Sequence, residues 1–385
     1  MSAKDTARES VPLGQTDDDH ERLRRNRLTL GEIVGQPEAI EETLRQEGSN
    51  IRTAARVLGG RKINHVYLAG CGDSLAVMVG MRGFLERLLQ VPCEPVQALE
   101  YAYYHQLTDP DSMVIALTST GWTTKVAESV AQARKAGMAT VAISNSPDAP
   151  IFSIAEISLL AHATRNGWPT QSSTTAMAVI AQLGIELAIS KGKSKVTLDA
   201  DQVSLNRSAS QIAQLLHLSW NPIAELAAAE RSTPLFLFSG GGPSLATAMI
   251  GAAKIKECTN RHAVAIQIEE YHHYLSQVVG EPMFMTIPNG PSVGRSANAI
   301  RVGRANGGRL YGLVPQDSPL SDQEFDWSLA LPPMDELLTP IVYTVPLQVF
   351  AYDLGMMIAG AGSEVRASHS TGESDPSFRR DTPKT

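Results

Sequence analysis

Two short segments of the chain concentrate groups able to hold a phosphate. Thr118-Ser119-Thr120-Gly121-Trp122-Thr123 carries four hydroxyls. At the carboxyl end of a strand, with a helix opening behind it, such a run also offers free backbone N–H groups and the positive end of the helix dipole. That combination suits a phosphate without a lysine. The same residues make ordinary N-caps and turns, so the segment alone leaves both readings open. Gly70-Cys71-Gly72-Asp73-Ser74 is a tight glycine turn that lets a ligand approach the backbone, or simply closes a strand–helix turn. It is not GxGxxG, and no acidic residue is placed to read a dinucleotide ribose. Cys71 has no adjacent base and is expected to line a pocket rather than act as a nucleophile. The cluster His262, Glu269, Glu270, His272 and His273 fits neither HExxH nor HxxEH, so no metal is expected.

These segments need strands and helices to hold them. His65–Ala69, Met113–Leu117, Thr140–Ile143 and Ile157–Ala161 read as buried strands. Helices are expected over about 30–58, 74–89, 125–136 and 173–190. Leu235–Phe238, Pro282–Ile287 and Arg309–Val314 repeat the strand pattern, with a helix running to about Thr259. The segment GCGDSLA at 70–76 superposes without a gap on GGGPSLA at 240–246, and the ends of the second and third strands match on the same offset. A repeat this long implies two homologous α/β units, each a parallel sheet flanked by helices. Where the first copy has its hydroxyls, the second has Pro288-Asn289-Gly290-Pro291, so only the first is equipped for phosphate. In open parallel sheets, ligands sit at the carboxyl ends of strands.

The expected organisation is a loosely attached tail over 1–27, a first domain over 28–195, connecting helices over 196–230, a second domain over 231–365 and a tail over 366–385. The 385 residues are 43% hydrophobic, enough for two large cores. The net charge of −7 argues against nucleic acid as a partner. Three cysteines are too few for a disulfide scaffold, and the polar start lacks the apolar core of a signal peptide. A reducing cytoplasm is therefore expected. No uninterrupted run of 18 apolar residues occurs, so no membrane span is expected.

The segments quoted above resemble the SIS (sugar isomerase) family of phosphosugar-binding proteins. So do Gly251-Ala252-Ala253-Lys254-Ile255-Lys256-Glu257, running on to Glu270-Tyr271-His272-His273, and Thr339-Pro340-Ile341-Val342-Tyr343-Thr344-Val345-Pro346-Leu347-Gln348. The resemblance spans about 30–370 and is closest to double-domain members, the isomerase halves of glucosamine-6-phosphate synthases. It implies two tandem SIS domains, each a flavodoxin-like three-layer sandwich. It also implies that Thr118, Ser119, Thr120 and Thr123 hold the sugar phosphate while Cys71, Gly72 and Ser74 line the pocket. Lys254 would lie near the sugar. Glu257 would be the base that moves a proton between C1 and C2, and His273 would open the sugar ring in a neighbouring subunit's site, in a homodimer. His272 competes for that role, and His262 reads as structural. No cofactor is implied.

Two departures shape the expected reaction. Too few residues precede the first domain for a glutaminase. The lysine that forms a Schiff base near the end of the synthases is replaced by Arg366-Ala367-Ser368-His369-Ser370. The fructosamine-6-phosphate deglycases, which keep the glutamate and histidine and need no such lysine, resemble the chain better there. The expectation is thus an enzyme acting on an amino-sugar phosphate, a deglycase or deaminase releasing an amine or ammonia. The alternatives are an ammonia-dependent synthase running the steps backwards and a non-catalytic sugar-phosphate sensor. Trp122 stands where the family usually has a small polar or acidic residue.

Overall fold

All but one of the apolar runs become inner strands of two sheets, because a strand covered by helices on both faces must be hydrophobic throughout; Ile157–Leu160, expected to be buried, is instead a half-exposed edge strand. The computed structural model describes residues 17–106, 109–274 and 277–360. Helices α1 (Asp17–Val34) and α2 (Gln36–Gly59) lead into β1 (His65–Gly70), α3 (Asp73–Leu89), β2 (Cys93–Gln97), α4 (Ala98–Tyr104) and β3 (Ser112–Leu117). Next come α5 (Thr124–Lys135), β4 (Ala139–Ser144), β5 (Ile157–Leu160) and α6 (Gln171–Ser190). After α7 (Asp199–Ala229) follow β6 (Leu235–Gly240), α8 (Ser244–Thr259), β7 (His262–Gln267), α9 (Ile268–Tyr274), β8 (Pro282–Thr286), α10 (Val293–Ala305) and β9 (Arg309–Pro315). The described fold ends with β10 (Trp327–Leu331), α11 (Thr339–Tyr343) and α12 (Val345–Ile358).

Both sheets have five strands, all parallel, in the orders β2-β1-β3-β4-β5 and β7-β6-β8-β9-β10. The two halves therefore share one topology, as the duplicated loops require, and the α/β double-domain architecture expected from the sequence is what forms. Three strands have no counterpart in the sequence reading: β2, β7 and β10. All three are edge strands. β2 contains Pro95, and β7 alternates between exposed and covered residues, so neither shows the apolar run of an inner strand.

The core lies between the sheets. Helix α6 packs on α2 and α3, and α12 packs on α7 and α8. Helix α6 and the stretch Glu336–Ile358 are long and apolar enough to cross a membrane, yet 89% of each window is buried inside the protein. Helices α3 and α8 face each other across the domain boundary, running in opposite directions. Asp73 at the start of α3 meets Lys254 near the end of α8, while Gly80 lies against Ala246. A Cβ on Gly80 would stand 2.9 Å from that of Ala246, so a glycine is what lets the helices approach this closely.

The first helix corrects the expected tail of 1–27. Residues 17–27 are the first turns of α1, and Asn26 within them is only 1% exposed. The run is so polar that no apolar period shows. It is held instead by Leu23 against the core and by the side-chain hydrogen bonds of Asn26. Residues 1–16 and the segment 366–385 lie outside the described residues.

Candidate active site

Strand order locates the crevice. From β1 the chain turns one way, through α3 to β2, and from β3 the other way, through α5 to β4, so the carboxyl ends of β1 and β3 part at a topological switch point. The glycine turn follows β1 and the hydroxyl turn follows β3. Both sequence-predicted loops thus face one crevice. Thr118 is buried, and its Oγ1 lies 2.9 Å from Thr123 Oγ1 and accepts from the Gly121 amide at 3.2 Å. The Trp122 amide donates to Thr120 Oγ1. Gly121 has φ +76°, and a Cβ there would stand 2.3 Å from that of Ala149, so the turn demands glycine on both counts. Cys71 is half-buried, with Gln97 Nε2 3.7 Å from its sulfur. Gly72 carries φ +57° just ahead of α3, where Ser74 lies in the first turn.

The second domain reaches the glycine turn through α8. Lys254, 1% exposed, pairs with Asp73 at 2.7 Å and with Glu257 one turn along α8. Glu257 is thus neither a solvent-facing glutamate nor a partner of Arg261; it shares a buried ammonium with a carboxylate from the other domain. Burial works against the charge on Lys254, but Asp73 and Glu257 together override it and raise its pKa, so it stays protonated. Burial raises the pKa of Glu257 above the usual carboxylate range; Lys254 opposes the rise and Asp73 adds to it. A carboxylate made more basic in this way is suited to taking a proton from carbon near neutral pH.

Sequence reasoning quoted Asp73 but gave it no role. The signal was there: an acidic residue in the first turn of a helix that itself opens from a glycine turn. Arg165 was also missed. It sits on the loop between β5 and α6, and its charge favours the ionised form of Glu257. Helix α1 holds that loop. Glu32, nearly fully buried, accepts from Thr164 Oγ1 at 3.0 Å and from the amides of Asn166 and Gly167 at 2.6 and 3.2 Å. Thr29 Oγ1 accepts from the Trp168 amide at 2.8 Å. At the start of α6, the buried hydroxyls of Thr170 and Ser172 have no hydrogen-bond partner among the described residues.

His273 is not brought to this crevice by its own chain. It lies on α9, at the carboxyl end of the second sheet, whereas Glu257 lies at the end of α8, which returns to the opposite edge. The length of α8, 16 residues or roughly 24 Å, therefore stands between Glu257 and the carboxyl end of that sheet. The His273 ring is 66% exposed, 3.7 Å from Glu269, which is also held by Arg295. The adjacent His272 is half-buried, its Nε2 without a partner among the described residues.

The duplicated crevice of the second domain is filled by the chain itself. The Glu336 carboxylate lies where a Cβ on Gly290 would be, 2.3 Å from Oε2. Arg87 takes on α3 the position that Glu257 takes on α8, and it pairs with Asp335 and Asp201, each at 2.7 Å. A carboxylate seated in the loop repels phosphate, which gives a physical reason for the missing hydroxyls.

Residues 61–185 and 235–357 each match the SIS domain. The glutamine–fructose-6-phosphate aminotransferase (isomerizing) of Yersinia pestis is 29% identical over 338 residues, covering 85% of this chain and 55% of that protein. The Escherichia coli K12 protein of the same name is 28% identical over 338 residues. The chain thus spans about half the length of the curated relatives it matches. Among solved structures, the C-terminal domain of glucosamine-fructose-6-phosphate aminotransferase from Francisella tularensis superposes with a TM-score of 0.76. It is 22% identical and covers 86% of this chain and 96% of that one. A glucosamine-6-phosphate deaminase from Thermotoga maritima gives 0.66 at 16% identity, covering 86% and 94%. With a matched domain in each half, built on one strand order, the chain belongs to the SIS family.

Proposed function

We propose that the chain is an enzyme that moves a proton between C1 and C2 of a phosphorylated amino sugar and so releases an amine or ammonia. The observation that carries this reading is the buried Lys254 ammonium shared by Asp73 and Glu257, carboxylates drawn from the two domains. A binding-only protein has no use for a basic carboxylate there, so this group disfavours the sensor. In the reading, Thr118, Ser119, Thr120 and Thr123 hold the phosphate, and Cys71, Gly72 and Ser74 line the sugar. Lys254 keeps positive charge beside the developing oxyanion.

On a ketosamine, Glu257 takes a proton from C1 and the carbonyl oxygen at C2 becomes a hydroxyl, giving an enaminol. Return of a proton to C2 leaves an imine at C1, and water expels the amine to give an aldose phosphate. On an aldosamine the base acts at C2, and ammonia leaves. His273 opens the ring from the partner subunit of a homodimer, since its own chain keeps it far from Glu257. The reverse, ammonia-dependent synthesis uses the same groups; the curated relatives are named as aminotransferases of glutamine and fructose 6-phosphate.

The purified protein given fructosamine 6-phosphates, glucosamine 6-phosphate, and fructose 6-phosphate with ammonia should turn over at least one. Glu257→Gln should lower that turnover by about 10²–10⁴-fold and leave binding nearly intact. Full activity in Glu257→Gln would refute the assigned base. Mixing inactive Glu257→Gln with inactive His273→Ala subunits should restore activity, and no rescue would remove the shared site.

A further inference from the structure

Helix α1 lies outside both segments that match the SIS domain, yet it reaches the residue next to the base. Asn26 is 1% exposed and makes two hydrogen bonds to different parts of the fold. Its Nδ2 donates to the Cys258 carbonyl at 3.0 Å, and its Oδ1 accepts from Trp168 Nε1 at 2.8 Å. A carboxamide has one accepting and one donating end, so these partners allow only one orientation.

The Cys258 carbonyl is among the last four of α8, which no amide within the helix can satisfy. The junction is closed on its third side by Gly355 of α12. A Cβ there would stand 2.5 Å from the Cys258 carbonyl oxygen and 2.7 Å from Asn26 Nδ2. The Arg25 guanidinium covers the Trp168 ring, 4.1 Å from its centre. Four elements therefore meet at one amide: α1, the end of α8 bearing Glu257, α12, and the loop bearing Arg165.

We propose that Asn26 is a positioning residue for the proton transfer, fixing the Glu257 end of α8 against the Trp168 loop. It touches no substrate and acts through Glu257, so the inference rests on Glu257 being the base. The phosphate is held by a different element, the turn after β3, and does not depend on Asn26. A displacement of about 1 Å at a reacting group can cost about 10²-fold in rate.

The test uses the full chain and whichever sugar phosphate it turns over, with kcat, KM, the pH profile and the melting midpoint measured together. Asn26→Ala should lower kcat about 10- to 100-fold with KM changed less than about threefold. Asn26→Asp keeps an acceptor for Trp168 but turns a carboxylate oxygen toward the Cys258 carbonyl, and kcat should fall at least as far. Trp168→Phe keeps the ring and breaks the same link from its other end. It should lower kcat, and Asn26→Ala/Trp168→Phe should be no worse than Asn26→Ala alone, because both cut one link.

Folded Asn26 variants with kcat within twofold of the parent would overturn the proposal. So would effects of Asn26→Ala and Trp168→Phe that multiply. If the Asn26 variants fail to fold, Trp168→Phe decides: reduced kcat at an unchanged melting midpoint supports the link, and unchanged kcat refutes it. Glu257→Gln run alongside separates the two claims. An active Glu257→Gln removes the base itself, whereas an inactive Glu257→Gln beside fully active Asn26 variants removes only the positioning role.

Discussion

Replacing Asp73 by asparagine removes one of the two carboxylates that share the Lys254 ammonium. Asp73 Oδ2 is 2.7 Å from Lys254 Nζ, and Glu257 binds the same nitrogen. Two like charges about 5 Å apart at an effective dielectric of about 20 repel by about 3 kcal/mol, the order of the effect two carboxylates on one ammonium exert on each other. The Glu257 side chain is 27% exposed, so solvent screens part of this repulsion. The sign follows from the geometry. Asp73 raises the pKa of Glu257, and the base acts only when ionised. In Asp73→Asn the acid limb of the pH–rate profile should therefore move to lower pH, while the plateau falls severalfold because the base is weaker. The assay is kcat against pH for both proteins, with melting midpoints at each pH to exclude unfolding. Lys254 keeps Glu257 as a partner, so the loss of stability should stay below the roughly 3–5 kcal/mol of a wholly orphaned buried charge. An acid limb that stays in place, or moves up, would refute the coupling.

Other substitutions probe neighbouring parts of the account. Arg165→Ala removes a charge that favours ionised Glu257, so its acid limb should move up, opposite to Asp73→Asn, in the same assay. Gly121→Ala combines a left-handed backbone cost of roughly 1–2 kcal/mol with a clash on Ala149 costing roughly 1–3 kcal/mol. Denaturant unfolding should show that loss, and KM for the sugar phosphate should rise. Asp353, in the core of α12, has its carboxyl pushed up to about 8 by burial, against the hydrogen bond from Trp220. The unfolded carboxyl ionises near pH 4 and the folded one only near pH 8. Stability should therefore fall through that window as pH rises and level off above it. Asp353→Asn should flatten the dependence and raise the melting midpoint at pH 8; an unchanged slope would contradict the burial argument.

The inner strands, the duplication and the two loops at the switch point were legible in the sequence because each follows from a local rule. A strand covered on both faces must be apolar, and a turn before a helix needs glycine or hydroxyls. Among the edge strands only β5 keeps an apolar run; β2, β7 and β10 were not legible, because polar residues or a proline interrupt or bound them. Helix α1 was missed for a related reason. Its polar face hides a small number of long-range hydrogen bonds, and Asn26 finds Cys258 across 232 residues of sequence. The ion pair of Asp73 with Lys254 is likewise a tertiary fact. It depends on α3 and α8 running in opposite directions across the domain boundary, which no spacing within either segment states.

The central claim is that Glu257 moves a proton at the carbon beside the amine. Turnover in heavy water, followed by mass spectrometry or NMR of the recovered sugar, tests it most directly. The account predicts solvent deuterium at C2 of the aldose phosphate formed from a ketosamine, or at C1 of the ketose phosphate formed from an aldosamine. It also predicts that Glu257→Gln, though still binding the sugar phosphate, incorporates none. Deuterium entering at the parental rate in Glu257→Gln would contradict it.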